Sequence, residues 1–272
     1  MREGGAVRLK IEGLTFSYGD GPAIQDVSLH VNRGEFVGLI GPNGSGKSTV
    51  LKNVYRALTP DRGTILLDGE DITKMPYRKS ARKMAVVGQE NDVPFDFMAE
   101  EIVAMGRTPH KRLFDTDNAH DRYIVHHALE HVGMQDMARR SYLHMSGGEK
   151  QRVIIARAVA QESDFLILDE PTNHLDVSCQ MMILDFIRRL NITVLSAIHD
   201  LNMASLYCDR LYVLKGGRIA LQGTPEEVLT ADNIRRVYGV ESAVERHPIT
   251  GRMAITFLPA EIRAGARSTM EV

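Results

Sequence analysis

The stretch that decides the fold is Gly41-Pro42-Asn43-Gly44-Ser45-Gly46-Lys47-Ser48, followed by Thr49. It matches the phosphate-loop pattern G-x-x-x-x-G-K-[ST] at every fixed position. The apolar run 36–40 before it predicts a buried strand, and residues 50–56 after it predict a helix. Glycines let backbone N–H groups converge on an anion, and a helix N-terminus adds about half a positive charge. The segment therefore predicts a nucleotide-binding loop; the alternative is a glycine-rich connection with a solvated lysine.

Composition narrows the class of protein. The chain has 272 residues, of which 43% are hydrophobic and 25% charged, as in ordinary globular proteins. Its net charge of −2 argues against a dedicated nucleic-acid binder. Cys179 and Cys208 lack metal-ligand spacing and fit a reducing compartment. No apolar stretch after residues 1–5 looks like a signal peptide, and no run approaches the roughly 20 residues of a membrane span.

The pattern of apolar residues predicts an α/β chain with one helical interruption. Strands are expected at 8–18, 24–31, 64–67, 84–88, 165–168 and 192–198, with a hairpin at 211–214 and 218–221. Between about 90 and 145 the apolar residues recur at helical spacing, which predicts a helical insert. His126, His127 and His131 in this insert are interpreted as solvated helix residues, because no carboxylate cluster accompanies them.

Polar residues follow several of the predicted core strands. Gln89, the pair Asp169-Glu170 and His199 each stand where such a strand ends. Open α/β sheets keep their sites at that edge, so we expect these side chains near the phosphate loop. Asp169 and Glu170 should point to opposite faces of their strand and play different roles; the alternative for Glu170 is a structural salt bridge.

A second anion-binding feature lies further along the chain. Ser146-Gly147-Gly148 opens a helix that runs to about residue 161. Serine is a good N-cap, and a glycine-rich helix start forms a nest of N–H groups. Tyr18, at the end of its strand, is either an aromatic platform for a nucleobase or a partly buried strand residue.

In this order, the set resembles the ATP-binding subunit of ABC transporters over about residues 8–240. The phosphate loop is similar to Walker A, Gln89 to the Q-loop glutamine, residues 145–149 to the signature, and 165–169 to Walker B. Residues 175–176 resemble the D-loop, His199 the switch histidine, and Tyr18 the adenine-stacking aromatic. The signature departs from the usual wording, since Met145 and Glu149 replace leucine and glutamine.

The resemblance implies an α/β fold: a P-loop NTPase (RecA-like) core with an antiparallel β subdomain and a helical, signature-bearing insert. Residues 8–89 and 146–240 would form the catalytic core and 90–145 the helical subdomain, with 241–272 a peripheral C-terminal extension. The implied cofactors are ATP and Mg²⁺.

The resemblance also assigns roles to single residues. Magnesium would be held by Ser48, Gln89 and Asp169, and catalysis would rest on Glu170, His199 and Gln89. Nucleotide binding is implied for the aromatic, the phosphate loop and the signature serine and glycines: Tyr18, Gly41, Pro42, Asn43, Gly44, Ser45, Gly46, Lys47, Ser48, Thr49, Ser146, Gly147 and Gly148.

The implied partners are a second copy, which would sandwich ATP head to tail, and multi-span permease subunits docking at about 90–110. A substrate-binding protein would act indirectly, no nucleic acid is implied, and the location would be the cytoplasmic face of the plasma (inner) membrane. Residues 105–110, 170–176 and 198–204 resemble the branch that imports ferric siderophores, haem and cobalamin. Iron-chelate import is the first expectation. The alternatives are haem or cobalamin import, another importer branch or an exporter, and a soluble ribosome-associated ABC protein.

Overall fold

The computed structural model describes residues 6–19, 21–88, 95–112, 115–116, 118–173 and 175–259. The strands are β1 (Val7–Ser17), β2 (Pro22–Asn32), β3 (Phe36–Ile40), β4 (Arg62–Leu67), β5 (Glu70–Asp71), β6 (Ala85–Val87), β7 (Phe165–Asp169), β8 (Thr193–Ala197), β9 (Arg210–Lys215), β10 (Arg218–Gly223), β11 (Glu241–Arg246) and β12 (Met253–Leu258). The helices are α1 (Lys47–Val54), α2 (Tyr77–Lys83), α3 (Ala99–Ala104), α4 (Ala119–His131), α5 (Gly147–Ala160), α6 (Val177–Arg189), α7 (Leu201–Tyr207), α8 (Pro225–Val228) and α9 (Ala231–Tyr238).

The central sheet has the strand order β10-β9-β3-β8-β7-β6. Its strands run parallel from β9 to β6, and β10 closes the edge antiparallel to β9. Every residue of β3, β7 and β8 is buried, because both faces of the sheet are covered. Burial on both faces explains why these strands appear in the sequence as continuous apolar runs. The predicted α/β fold is confirmed.

Two apolar cores lie on opposite faces of this sheet, and alternate residues of each strand serve one or the other. In β3, Val37 and Leu39 join the core shared with α1 and the antiparallel sheet β2-β1-β4-β5. Phe36 and Ile40 join the other core, which includes α5 and most of the remaining helices. Because successive side chains of a strand point to opposite faces, the strand contributes side chains to both cores.

The described residues between 95 and 145 form helices, 3₁₀ turns and one isolated bridge, between Met98 and Ser141. The 3₁₀ segments are Met105–His110, Gln135–Met137 and Tyr142–His144. In the C-terminal region, expected only as a peripheral extension, β11 and β12 pair as an antiparallel hairpin. Within the described residues, no helix has the length and apolar character that crossing a bilayer requires.

Arg107 joins the helical region to α5 from a buried position. Its side chain is only 4% exposed, and its Nε donates to Asp121 Oδ1 at 3.0 Å. Its Nη1 donates to the Ala160 carbonyl and to Glu162 Oε2, each at 2.8 Å. The preceding Gly106 packs so closely that a Cβ there would lie 2.2 Å from the Arg157 carbonyl oxygen. The side of segment 105–110 that faces α5 therefore has little room for larger side chains.

We expect Arg107→Met to lower the free energy of unfolding by about 3–5 kcal/mol, because it leaves the buried Asp121 carboxylate without its cation. Urea unfolding followed by circular dichroism measures this. Arg139→Met is the matched control: Arg139 is 88% exposed, its partner Glu100 is 3.9 Å away, and such pairs contribute about 0–1 kcal/mol. Equal losses in the two variants would contradict a structural role for Arg107.

Candidate active site

The phosphate loop joins β3 to α1 and has the backbone shape that only glycine allows at two positions. A Cβ at Gly41 (φ +145°) would lie 2.1 Å from the Leu214 carbonyl oxygen. A Cβ at Gly46 (φ +102°) would lie 2.5 Å from Ile24 Cγ2. Gly46 is also the N-cap of α1, and the structure gives this helix start no side-chain cap. The first N–H groups of α1 are thus available to an anion.

Lys47 is held inside the loop rather than solvated. It is 4% exposed, and its Nζ donates to the carbonyl oxygens of Gly41 at 2.9 Å and Pro42 at 3.2 Å. Burial lowers the pKa of Lys47, and the nearby carboxylates of Glu170 and Asp169 oppose that shift. A cation bound to uncharged carbonyl oxygens is well placed to exchange them for charged phosphate oxygens, which form stronger hydrogen bonds with it.

Asp169, the last residue of β7, is fully buried beside the start of α1. The hydroxyl of Ser48 donates to its Oδ1 at 2.8 Å. Among the described residues, its Oδ2 has no hydrogen-bond partner. Burial raises the pKa of Asp169, and the hydrogen bond from Ser48 opposes this. Gln89, the third residue expected near a cation here, lies outside the described residues.

Glu170 follows Asp169 with a φ of +56°, a left-handed conformation that is uncommon for a residue with a side chain. This turns its carboxylate toward His199, whose Nε2 contacts Glu170 Oε1. Asn173 Nδ2 donates to the other oxygen, Oε2. Asn173 is not among the residues that the sequence predicted for this site, and its signal there is its place three residues after Glu170. The side chain of Glu170 is 8% exposed and that of His199 35%, so the pair sits at the edge of a cleft.

These groups line one cleft of about 780 Å³. The loop residues 43–49 form its floor, and Glu170, Asn173 and His199 stand on one side. Tyr18 lines it as well; its side chain is 62% exposed and rests edge-on against Phe16, with ring centroids 4.9 Å apart. An exposed aromatic face next to a phosphate loop can stack on a nucleobase. One chain therefore brings together an aromatic, an anion cradle and a carboxylate–imidazole pair.

Ser146 and its glycines lie elsewhere on the chain. Ser146 and Gly148 line a separate depression of about 390 Å³ with residues of the α6 start. Ser146 caps α5: its Oγ accepts from the N–H of Glu149 at 3.3 Å, and Glu149 Oε2 accepts from the N–H of Ser146 at 2.7 Å. This hydrogen bond from Ser146 lowers the pKa of Glu149. The glutamate that departs from the usual signature thus completes a capping box.

A sequence profile of the family described as ABC transporter matches residues 24–173. The ferric enterobactin transport ATP-binding protein of Escherichia coli is 38% identical over 248 residues, which cover 90% of this chain and 92% of that protein. The hemin import ATP-binding protein of Pseudomonas putida is 40% identical over 255 residues, or 91% and 98% of the two chains. The cobalamin import ATP-binding protein of Halobacterium salinarum is 39% identical over 268 residues, or 97% of this chain and 67% of that protein.

Solved structures agree with the sequence relatives. A chain described as part of a metal-chelate type ABC transporter in an inward-facing conformation has a TM-score of 0.81 at 26% identity and covers 94% of this chain and 99% of that one. An ATP-binding cassette solved as a dimer in a post-hydrolysis state with ADP and phosphate has a TM-score of 0.71 at 27% identity and covers 80% and 98%.

We expect Asp169→Asn to stabilise the nucleotide-free protein by about 1–3 kcal/mol, because it removes a buried charge with an unpartnered oxygen. The folded-state pKa of Asp169 is raised, so its contribution to stability falls as pH rises through that pKa. The gain of the variant should therefore be larger at pH 7.5 than at pH 4.5. Urea unfolding at both pH values measures it, with the exposed Asp61→Asn as control. A loss of stability at pH 7.5 would show that Asp169 is adequately paired.

Proposed function

This chain belongs to the ABC transporter family as an ATP-binding subunit, and from that membership we propose that it hydrolyses ATP to power the import of an iron chelate. Subunits of this kind are ATPases that bind nucleotide. The observation that carries the proposal is the single cleft in which the phosphate loop faces Glu170 and His199. The relative named for ferric enterobactin transport supports an iron chelate, and the relatives named for hemin and cobalamin import support haem and a corrinoid as the alternatives.

We assign the phosphates of ATP to the loop and its helix. The N–H groups of residues 43–49 would donate to them, and Lys47 would exchange its two carbonyl acceptors for terminal phosphate oxygens. Tyr18 would stack on the adenine at the mouth of the cleft. The glycines at 41, 44 and 46 have positive φ values, which supports a loop already shaped before ATP arrives.

The residues beside α1 fit a magnesium ion. The unpartnered Oδ2 of Asp169 and the hydroxyl of Ser48 are hard oxygen donors, which magnesium prefers. We propose that both help to hold it, directly or through water, together with Gln89. Bound there, the ion would neutralise charge on the phosphates. It would also compensate the buried Asp169 carboxylate, whose pKa burial raises.

We assign the attacking water to Glu170. Its carboxylate is oriented at both oxygens, by His199 and Asn173, and lies at the edge of the phosphate cleft. A carboxylate oriented in this way can accept a proton from water, and a general base typically contributes roughly 10²–10⁴-fold to a rate. His199 would keep the carboxylate aligned, and we add Asn173 as a second residue that positions it.

We propose that the site is completed by a second copy. The glycine-rich start of α5 offers N–H groups to an anion, yet it lines a different depression from the phosphate loop of its own chain. A two-fold pair would bring Ser146, Gly147 and Gly148 of one copy to the ATP on the other. The dimeric cassette with ADP and phosphate supports this arrangement.

The permease would dock on the helical region at about 90–110, of which residues 95–110 are described. A cleft of about 490 Å³ between α3 and α4 supports this place: Ala104, Val125 and Leu129 give it an apolar lining, and Glu100 and Arg122 stand among its charged residues.

The subunit associates peripherally with a membrane. We propose the cytoplasmic face of the plasma (inner) membrane, with a substrate-binding protein acting through the permease.

Glu170→Gln should abolish most hydrolysis, with a fall in kcat of roughly 10²–10⁴-fold, while ATP binding persists. The amide keeps the size of the side chain and loses the base. ATP turnover and fluorescence titration with a labelled nucleotide measure the two properties, and size-exclusion chromatography with ATP should show a long-lived dimer. Lys47→Ala is the contrasting variant, since it should weaken ATP binding itself. Normal turnover by Glu170→Gln would remove Glu170 from the role of base.

The substrate is tested with this subunit, its permease and its binding protein reconstituted together in liposomes. A ferric siderophore should raise ATP turnover several-fold over the basal rate, because a loaded binding protein favours the transport cycle, whereas haem and cobalamin should not. Stimulation by cobalamin alone or by haem alone would contradict iron-chelate import and assign that compound as the substrate. A complex that forms but responds to none of the three would contradict the proposed branch.

A further inference from the structure

The residues after α9 form a hairpin that packs on the helix following His199. β11 and β12 pair in register from Glu241 opposite Leu258 to Arg246 opposite Met253. Ile255 is 6% exposed and belongs to the same core cluster as Leu201 and Ala204 of α7. A two-stranded hairpin is only marginally stable in water by itself. The order of this hairpin therefore depends on the helix beneath it.

A side-chain amide of α7 pairs with the free edge of the hairpin. Asn202 Nδ2 donates to the Ile255 carbonyl at 3.2 Å, and Asn202 Oδ1 accepts from the Ile255 N–H at 2.8 Å. These are the two backbone groups that a further strand would pair with. An asparagine amide offers a donor and an acceptor side by side and can replace that strand. These two hydrogen bonds therefore fix the position and orientation of the hairpin on α7, which apolar packing alone does not do.

The same turn of α7 fixes the residue next to His199. Asp200 caps α7, and its Oδ1 accepts from the N–H groups of Asn202 at 2.7 Å and Met203 at 3.1 Å. The preceding residue, His199, contacts Glu170 through Nε2. A short path thus leads from the hairpin through Asn202 to Asp200, which is joined directly to His199 by a peptide bond.

We propose that Asn202 is a positioning residue through which the C-terminal hairpin holds His199 against Glu170. The proposal rests on the proposed roles of those two residues in ATP hydrolysis. The proposal gives a function to residues 241–258, which line neither the phosphate cleft nor the depression beside Ser146. If the hairpin merely covered the apolar side of α7, the polar pair between Asn202 and Ile255 would have no effect on His199.

The test compares Asn202→Ala and the isosteric Asn202→Asp in the full chain, with Thr256→Ala as control. Thr256 follows Ile255 but is exposed. Asn202→Ala should lower kcat on the order of tenfold, less than the roughly 100-fold that a 1 Å misplacement can cost, with ATP affinity within twofold of wild type. Asn202→Asp keeps the acceptor but sets a carboxylate oxygen against the Ile255 carbonyl, so its kcat should fall at least as far as that of Asn202→Ala. Thr256→Ala should match wild type.

Two further readouts separate positioning from general destabilisation. The ring ¹⁵N–¹H signals of His199, assigned by their loss in His199→Ala, should shift in Asn202→Ala and not in Thr256→Ala. In single-turnover experiments, Asn202→Ala should add nothing to the loss already caused by His199→Ala, because coupled residues are not additive.

A wild-type kcat for Asn202→Ala, or a full additional loss on the His199→Ala background, would overturn the proposal while leaving the proposed ATPase mechanism standing. If His199→Ala itself turns over at the wild-type rate, the proposed role of His199 falls and the hairpin proposal falls with it.

Discussion

The parallel register of the central sheet is the constraint on which the site depends. Asp169 of β7 is paired with Ala197 of β8, and Ala197 is paired in turn with Leu39 of β3. The three strands therefore end at the same level, and the residues that follow them emerge side by side. Glu170, His199 and the phosphate loop become neighbours although they are far apart in sequence. A slip of one residue in the register of any of these strands would turn the side chains of that strand to the opposite face of the sheet.

The site is assembled at some cost to the stability of the fold. It buries Asp169 with an unpartnered oxygen, buries Lys47 against carbonyl oxygens, and holds Glu170 at a positive φ. Conformations and groups of this kind each cost on the order of 1–3 kcal/mol and persist where the surroundings over-determine them. The fully buried strands β3, β7 and β8 supply such surroundings. On the proposed assignment, phosphate oxygens at Lys47 and a cation at Asp169 would offset the first two costs.

The sequence predicted what depends on local pattern. Continuous apolar runs identified the parallel strands, and polar residues at their ends identified Asp169, Glu170 and His199, because period and strand direction are local properties. Contacts that join distant segments left no such signal. Arg107 meets Glu162 across 55 residues, and Asn202 meets Ile255 across 53. Asn173 lies close to Glu170 in sequence, but no apolar pattern indicates that its amide meets the carboxylate or that Glu170 has a positive φ. Apolar periodicity does not specify which polar side chains meet.

Glu149 shows how a departure from a motif can preserve the property that matters. In α5, Ser146 is the N-cap, so Gly147 and Gly148 are the first two helical residues and their N–H groups have no intrahelical partner. The capping box uses the N–H groups of Ser146 and Glu149 and leaves those of the glycines open. The Glu149 carboxylate is itself engaged, by Ser146 and by Arg140 at 3.3 Å. A negative charge held in this way stabilises the helix start without filling the space beside Gly147, where a Cβ would meet no atom within 4 Å. Glutamate in place of glutamine is therefore compatible with the proposed role of this helix start in binding an anion.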